Sequence, residues 1–74
     1  YIMKKIKKIK IKINGKFSTI NENLTLLNFF KQLKIPLKKV AIELNQEIID
    51  KNKISKIKLK QNDKIEVVHF IGGG

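Results

Sequence analysis

Cysteine is missing from this chain altogether. Disulfides, thiolate metal sites and a cysteine nucleophile are excluded with it, and such a composition fits a reducing compartment. Arginine is missing too. Its planar fork is the usual reader of phosphates and base edges, so its lack counts against a dedicated nucleic-acid module. There is one histidine, His69, which leaves no imidazole set for a metal, and one proline, Pro36. No apolar run approaches the ~20 residues that span a bilayer. No apolar segment follows the basic start Tyr1-Ile2-Met3-Lys4-Lys5, as a secretory leader would require. Met3 reads as a natural start, the alternative being a start further upstream. No glycine-rich phosphate loop precedes a helix, so the chain is not expected to bind ATP itself. Repeats, linkers and composition breaks are also lacking. With 74 residues, this is one small domain with a modest core.

What the chain has in excess is positive charge. All 17 basic residues are lysines, against 6 acids, for a formal net charge of +11. Isoleucine (14) and asparagine (7) are abundant as well. Lys, Ile and Asn share A/T-rich codons, so genomic composition explains the excess as a solvated surface. The competing readings are contact with an acidic protein and weak affinity for nucleic acid. On any of them the charge speeds encounter with acidic partners and makes association salt-sensitive. The acids Glu43, Glu47, Asp50, Asp63 and Glu66 form no metal or paired-carboxylate motif.

Alternation of Ile9, Ile11 and Ile13 with Lys8, Lys10 and Lys12 predicts a half-buried strand within residues 4–13. The lysine side of it reads as a solvated or edge-protecting face. Asn14-Gly15 is a strong hairpin signal, and Phe17 to Ile20 reads as the returning strand. Thr25 is a candidate cap for a helix from about Leu26 to Lys34. Leu26, Phe29, Phe30 and Leu33 fall on one face of that helix as its core stripe. Pro36 marks the helix end. Val40, Ile42 and Leu44 form a third strand, Asn45-Gln46 a turn, and Ile48-Ile49 a short fourth strand. Ile54, Ile57 and Leu59 anchor the polar stretch 50–60, and Gln61-Asn62-Asp63 is a turn. Lys64 to Ile71 is the last strand. Both of its faces are largely apolar, as in a central strand.

Hairpin, helix, strand, short strand and final strand make an α+β domain with one helix on one face of a mixed sheet. Pairing of the last strand with the first gives a β-grasp, or ubiquitin-like, fold of four to five strands over residues 1–71. A flexible glycine tail at residues 72–74 follows. Gly72-Gly73-Gly74 comes directly after an apolar strand. Without Cβ atoms such a tail can enter a channel too narrow for other residues. If the chain stops at Gly74, an unhindered α-carboxylate projects from a folded body and is a candidate for chemistry. The plain alternative is a frayed end. His69, beside the tail, reads as structural rather than as an acid or base.

The Asn14-Gly15 hairpin, the single helix, the segment from Val40 to Ile49 and the ending Asp63-Lys64-Ile65-Glu66-Val67-Val68-His69-Phe70-Ile71-Gly72-Gly73-Gly74 together resemble the ThiS family. These are the sulfur-carrier proteins of thiamine (thiazole) biosynthesis. The resemblance implies a protein co-substrate, not an enzyme. A ubiquitin-activating-type adenylyltransferase would use ATP to adenylate Gly74. A sulfur donor, a persulfide made by a cysteine desulfurase, would convert the adenylate to a thiocarboxylate, and thiazole synthase would accept the sulfur. Gly72 and Gly73 would thread the partner's channel, with Phe70 and Ile71 anchoring the base of the tail. No metal and no cofactor of the chain's own is implied. The expected state is a monomer, in bacterial cytoplasm or plastid stroma, away from membranes and without specific nucleic acid. A carrier for molybdopterin synthesis or tRNA thiolation shares this chemistry. A ubiquitin-like conjugating modifier and a basic nucleic-acid module are the alternatives from other classes.

Overall fold

The computed structural model describes residues 7–70. Its elements, in chain order, are β1 (Lys8–Ile13), β2 (Lys16–Asn21), α1 (Leu26–Leu33), β3 (Val40–Leu44), β4 (Glu47–Ile48) and β5 (Lys64–His69). Single 3-10 turns at Leu37–Lys39 and Lys51–Lys53 complete the list. The five strands form one sheet in the order β2-β1-β5-β3-β4. β5 runs parallel to β1 and antiparallel to β3. This is the mixed β-grasp sheet that the element order predicts, with the last strand at its centre.

Local chemistry accounts for the boundaries. Gly15 at φ 81 and Asn14 at φ 47 make the β1–β2 turn, which needs left-handed backbone. Asn23, Asn45 and Asn62 also sit at positive φ, where asparagine is among the few tolerated side chains. Much of the asparagine excess therefore builds turns. Thr25 caps α1, its Oγ1 accepting from the Asn28 amide at 3.2 Å. Lys34, at φ 58, closes the helix from the left-handed region. Pro36 stands just before the 3-10 turn that leads into β3, so the break at the proline is followed by a turn that the sequence pattern does not announce.

One face of the sheet packs under α1. The core comprises Ile11 and Ile20 from the hairpin, Leu26, Phe29 and Phe30 from the helix, Val40 and Ile42 from β3, Ile54 and Leu59 from the connection, and Ile65 and Val67 from β5. The rings of Phe29 and Phe30 lie 6.0 Å apart, tilted by 31°, within the range of favourable aromatic pairs. Leu33, expected in the core stripe, is 46 % exposed. It stands at the last position of an eight-residue helix, directly before the left-handed Lys34 that ends it. Among the described residues no helix is long and apolar enough to cross a membrane.

Two further expectations are narrowed. β1 lies inside the sheet, so its lysines protect no edge; β2 and β4 are the edges. β5 is central but buried on one face only: Ile65 and Val67 are buried, while Val68 is 52 % exposed. With a single helix there is no second layer to cover the far face.

Truncating Phe30, which is fully buried, removes the centre of the helix–sheet contact. Phe30→Ala should cost about 3–5 kcal/mol, against well under half of that for Leu33→Ala. Urea unfolding of both variants checks this; equal losses would contradict the core described here.

Candidate functional site: the end of β5 and the open sheet face

β5 is fixed in the middle of the sheet by more than its ladders. Asn14 at the hairpin turn donates its backbone N–H to the Ile65 carbonyl at 2.9 Å. Its side-chain Oδ1 accepts from the Val67 amide at 2.8 Å. The turn residue thereby continues the parallel β1–β5 pairing past the end of β1. At the start of β5, Asn45 and Asp63 form a second clasp. Asn45 Oδ1 accepts from the Lys64 amide at 2.9 Å, and its Nδ2 donates to Asp63 Oδ1 at 3.0 Å. Asp63 Oδ2 accepts from the Lys60 amide at 2.8 Å. The sequence marks Asn14, Asn45 and Asp63 only as turn residues. Their long-range bonds join positions up to 53 residues apart, which no local pattern reveals.

At its far end β5 leaves the sheet beside the start of β3, where His69 pairs with Val40. The Phe70 amide donates to the Lys39 carbonyl at 2.9 Å, so the backbone is still held one residue beyond the strand. The Phe70 ring is 60 % exposed, and Lys51 Nζ stands 5.3 Å from its centroid, a cation–π distance. Of the expected site residues, Phe70 is thus held through its backbone while its ring stays largely open. Ile71, Gly72, Gly73 and Gly74 lie outside the described residues. His69 is exposed, and among the described residues no three His, Asp or Glu side chains come together to hold a metal.

The sheet face opposite α1 carries exposed apolar groups. Phe17 (70 %), Ile48 (81 %) and Val68 (52 %) all belong to it. Strand register orders what lies between them. Lys12 stands opposite both Phe17 on β2 and Lys64 on β5. Glu43 on β3 stands opposite both Glu66 on β5 and Ile48 on β4. Val68 pairs with Ala41. Like charges directly opposite each other weaken a sheet, and here they do so twice. Lys10 and Lys12 place their Nζ atoms 5.2 and 5.0 Å from the Phe17 centroid, so part of the lysine stripe lies over an aromatic ring.

A model of the ThiS family matches residues 11–74. The sulfur carrier protein ThiS of Bacillus subtilis is 34 % identical over 65 residues, covering 86 % of this chain and 98 % of that protein. The thiazole synthase of Paramagnetospirillum magneticum is 35 % identical over 66 residues, covering 89 % of this chain. The chain spans 20 % of the length of that synthase and of a second one that it matches. Among solved structures, the crystal structure of the thiamine biosynthesis protein ThiS from Geobacter metallireducens superposes with a TM-score of 0.79 at 30 % identity. The match covers 89 % of this chain and all of that one.

The Asn14 clasp can be separated from its turn. Asn14→Gly keeps the left-handed backbone but loses the acceptor, leaving the part-buried Val67 amide without its side-chain partner. It should cost about 1–3 kcal/mol. Asn14→Asp keeps an acceptor and should cost less. Denaturant midpoints for the two decide the matter, and equal values would show that Oδ1 contributes nothing.

Proposed function

The chain belongs to the ThiS family, and from that premise we propose that it is a sulfur carrier of thiamine biosynthesis whose reacting group is the Gly74 carboxylate. The observation that carries this reading is that the family match takes in the glycine tail. The family match runs through residue 74, and the last backbone described before the tail is a central strand held at Phe70. A carboxylate is a poor electrophile. An adenylating enzyme of the ubiquitin-activating type would spend ATP to make the Gly74 acyl adenylate and release pyrophosphate. The terminal sulfur of a cysteine desulfurase persulfide would then displace AMP to give an acyl disulfide, and a second thiol would cleave its sulfur–sulfur bond, leaving the thiocarboxylate and a disulfide between the two thiols. Thiazole synthase is the proposed acceptor. Support for that partner comes from synthases that match this chain over a fifth of their own length.

In this scheme the carrier supplies reach and docking, and its partners supply the acids, bases and nucleophiles. Gly73 and Gly74 would pass through a narrow channel, Gly72 would add length, and Ile71 with Phe70 would seat the base of the tail. Ordering a loose tail costs entropy, so tail contacts alone bind weakly. The open sheet face, with Phe17, Ile48 and Val68, is the proposed docking surface. The setting would be bacterial cytoplasm or plastid stroma.

Intact mass tests the chemistry. The chain is incubated with ATP, the adenylating enzyme of its own genome and a sulfur donor, beside a chain lacking Gly73 and Gly74. The full chain should gain the mass of one oxygen replaced by one sulfur, and the shortened chain should not. An unchanged mass, with the enzyme shown to be active on another carrier, would defeat the proposal. The docking surface has its own check. Val68→Ser at an exposed position should change stability by only about 0.5 kcal/mol, yet slow thiocarboxylate formation by about tenfold or more. An unchanged rate would remove Val68 from the docking surface.

A further inference from the structure

A cleft of about 460 Å³ opens between the end of β3 and residues 56–63. One wall is the segment that runs into the β5 turn. The Leu26 amide donates to the Ile57 carbonyl at 2.9 Å, and the Leu59 amide to the Leu24 carbonyl at 2.8 Å. Lys58 bridges Thr25 in antiparallel fashion. These bonds on either side of Lys58 hold residues 57–59 extended. Leu59 is buried and Ile57 half-buried, and Lys56, Lys58 and Lys60 are exposed. All three lysines line the cleft.

The opposite wall is apolar and fixed. Leu44 lines it, and Asn45 and Asp63 form the rim. The one carboxylate here is already engaged, its two oxygens accepting from Asn45 Nδ2 and the Lys60 amide. Three lysines and one carboxylate that is bound into the loop thus line the cleft. A concave, partly apolar site with an excess of positive charge focuses its field on a small ion more than a flat lysine surface does. Its volume suits a small molecule, within the usual range for ligand clefts.

We propose that this cleft is an anion site for a small diphosphate-bearing molecule, with Lys56, Lys58 and Lys60 as the binding groups. The stretch Lys56-Ile57-Lys58-Leu59-Lys60 then has two roles: Leu59, with Ile57 beside it, packs on the core, and the lysines hold the ligand. The site is independent of the chemistry proposed for Gly74.

The test is a two-dimensional ¹H–¹⁵N titration of the full chain with inorganic pyrophosphate at fixed ionic strength. Saturable amide shifts should concentrate at Asn45, at residues 56–60 and at Asp63. A K56Q/K58Q/K60Q variant should bind at least about tenfold more weakly, while its spectral dispersion shows that it is folded. A K8Q/K10Q/K12Q variant loses the same charge and should keep the affinity of the parent chain, as should a chain lacking Gly73 and Gly74. Equal weakening in the two triple variants would overturn the proposal as mere net charge. So would shifts spread over the β1 lysines, or no saturation with pyrophosphate on the order of 10 mM.

Discussion

Everything distinctive about this domain depends on the pairing of its last strand with its first. β5 enters between β1 and β3 and completes a sheet that would otherwise be two separate pieces, the β1–β2 hairpin and the β3–β4 pair. Ile65 and Val67 then join Ile11, Val40 and Ile42 beneath the helix. The parallel contact with β1 is short, with two residue pairs in register. The Asn14 side chain lengthens it by bonding to the Val67 amide. A strand inserted centrally is held on both edges, so the chain beyond it starts from a fixed point. For a carrier whose proposed reacting group is four residues past Phe70, that fixed origin matters more than any side chain in the tail.

One helix is enough to cover one face of five strands, and the other face is left to water. Its composition is not that of an ordinary solvated surface. Phe17, Ile48 and Val68 are exposed there, and the lysines of β1 and β5 and the glutamates of β3 and β5 are grouped like with like. A free domain gains nothing from such grouping, since exchanging one lysine with one glutamate would produce opposite-charge pairs. The pattern fits a face selected for contact with another protein, as proposed here. It also qualifies the genomic account of the lysine excess. Drift explains how many lysines there are, but their placement over Phe17 and around the cleft is a feature of the fold.

Legibility varied along the chain with the range of the forces involved. The β1–β2 hairpin, the Thr25 cap, the Pro36 break and the Asn45-Gln46 turn were readable because each depends on neighbours within a few residues. The core face of α1 was readable up to Phe30. Leu33 was not, because periodicity gives the side of a helix but not how much of that side the rest of the fold covers. The last strand shows the same limit. Its two apolar sides signalled a central position correctly, but whether a second layer covers the outer side depends on how many helices the domain has. The clasp of Asn14 on β5 and that of Asn45 with Asp63 left no local trace beyond a turn preference.

The sequence by itself determined the elements and their order, through side-chain alternation, helical spacing and turn chemistry acting at short range. Through its closing residues it also determined the family resemblance that the comparisons bore out. Tertiary structure alone decided which apolar residues were covered and which lysines gathered around one cleft. It alone decided that two turn asparagines would hold the strand leading to the tail. Burial and long-range hydrogen bonds depend on which strands become neighbours, and neighbours in this sheet lie as far apart in the chain as Asn14 and Val67.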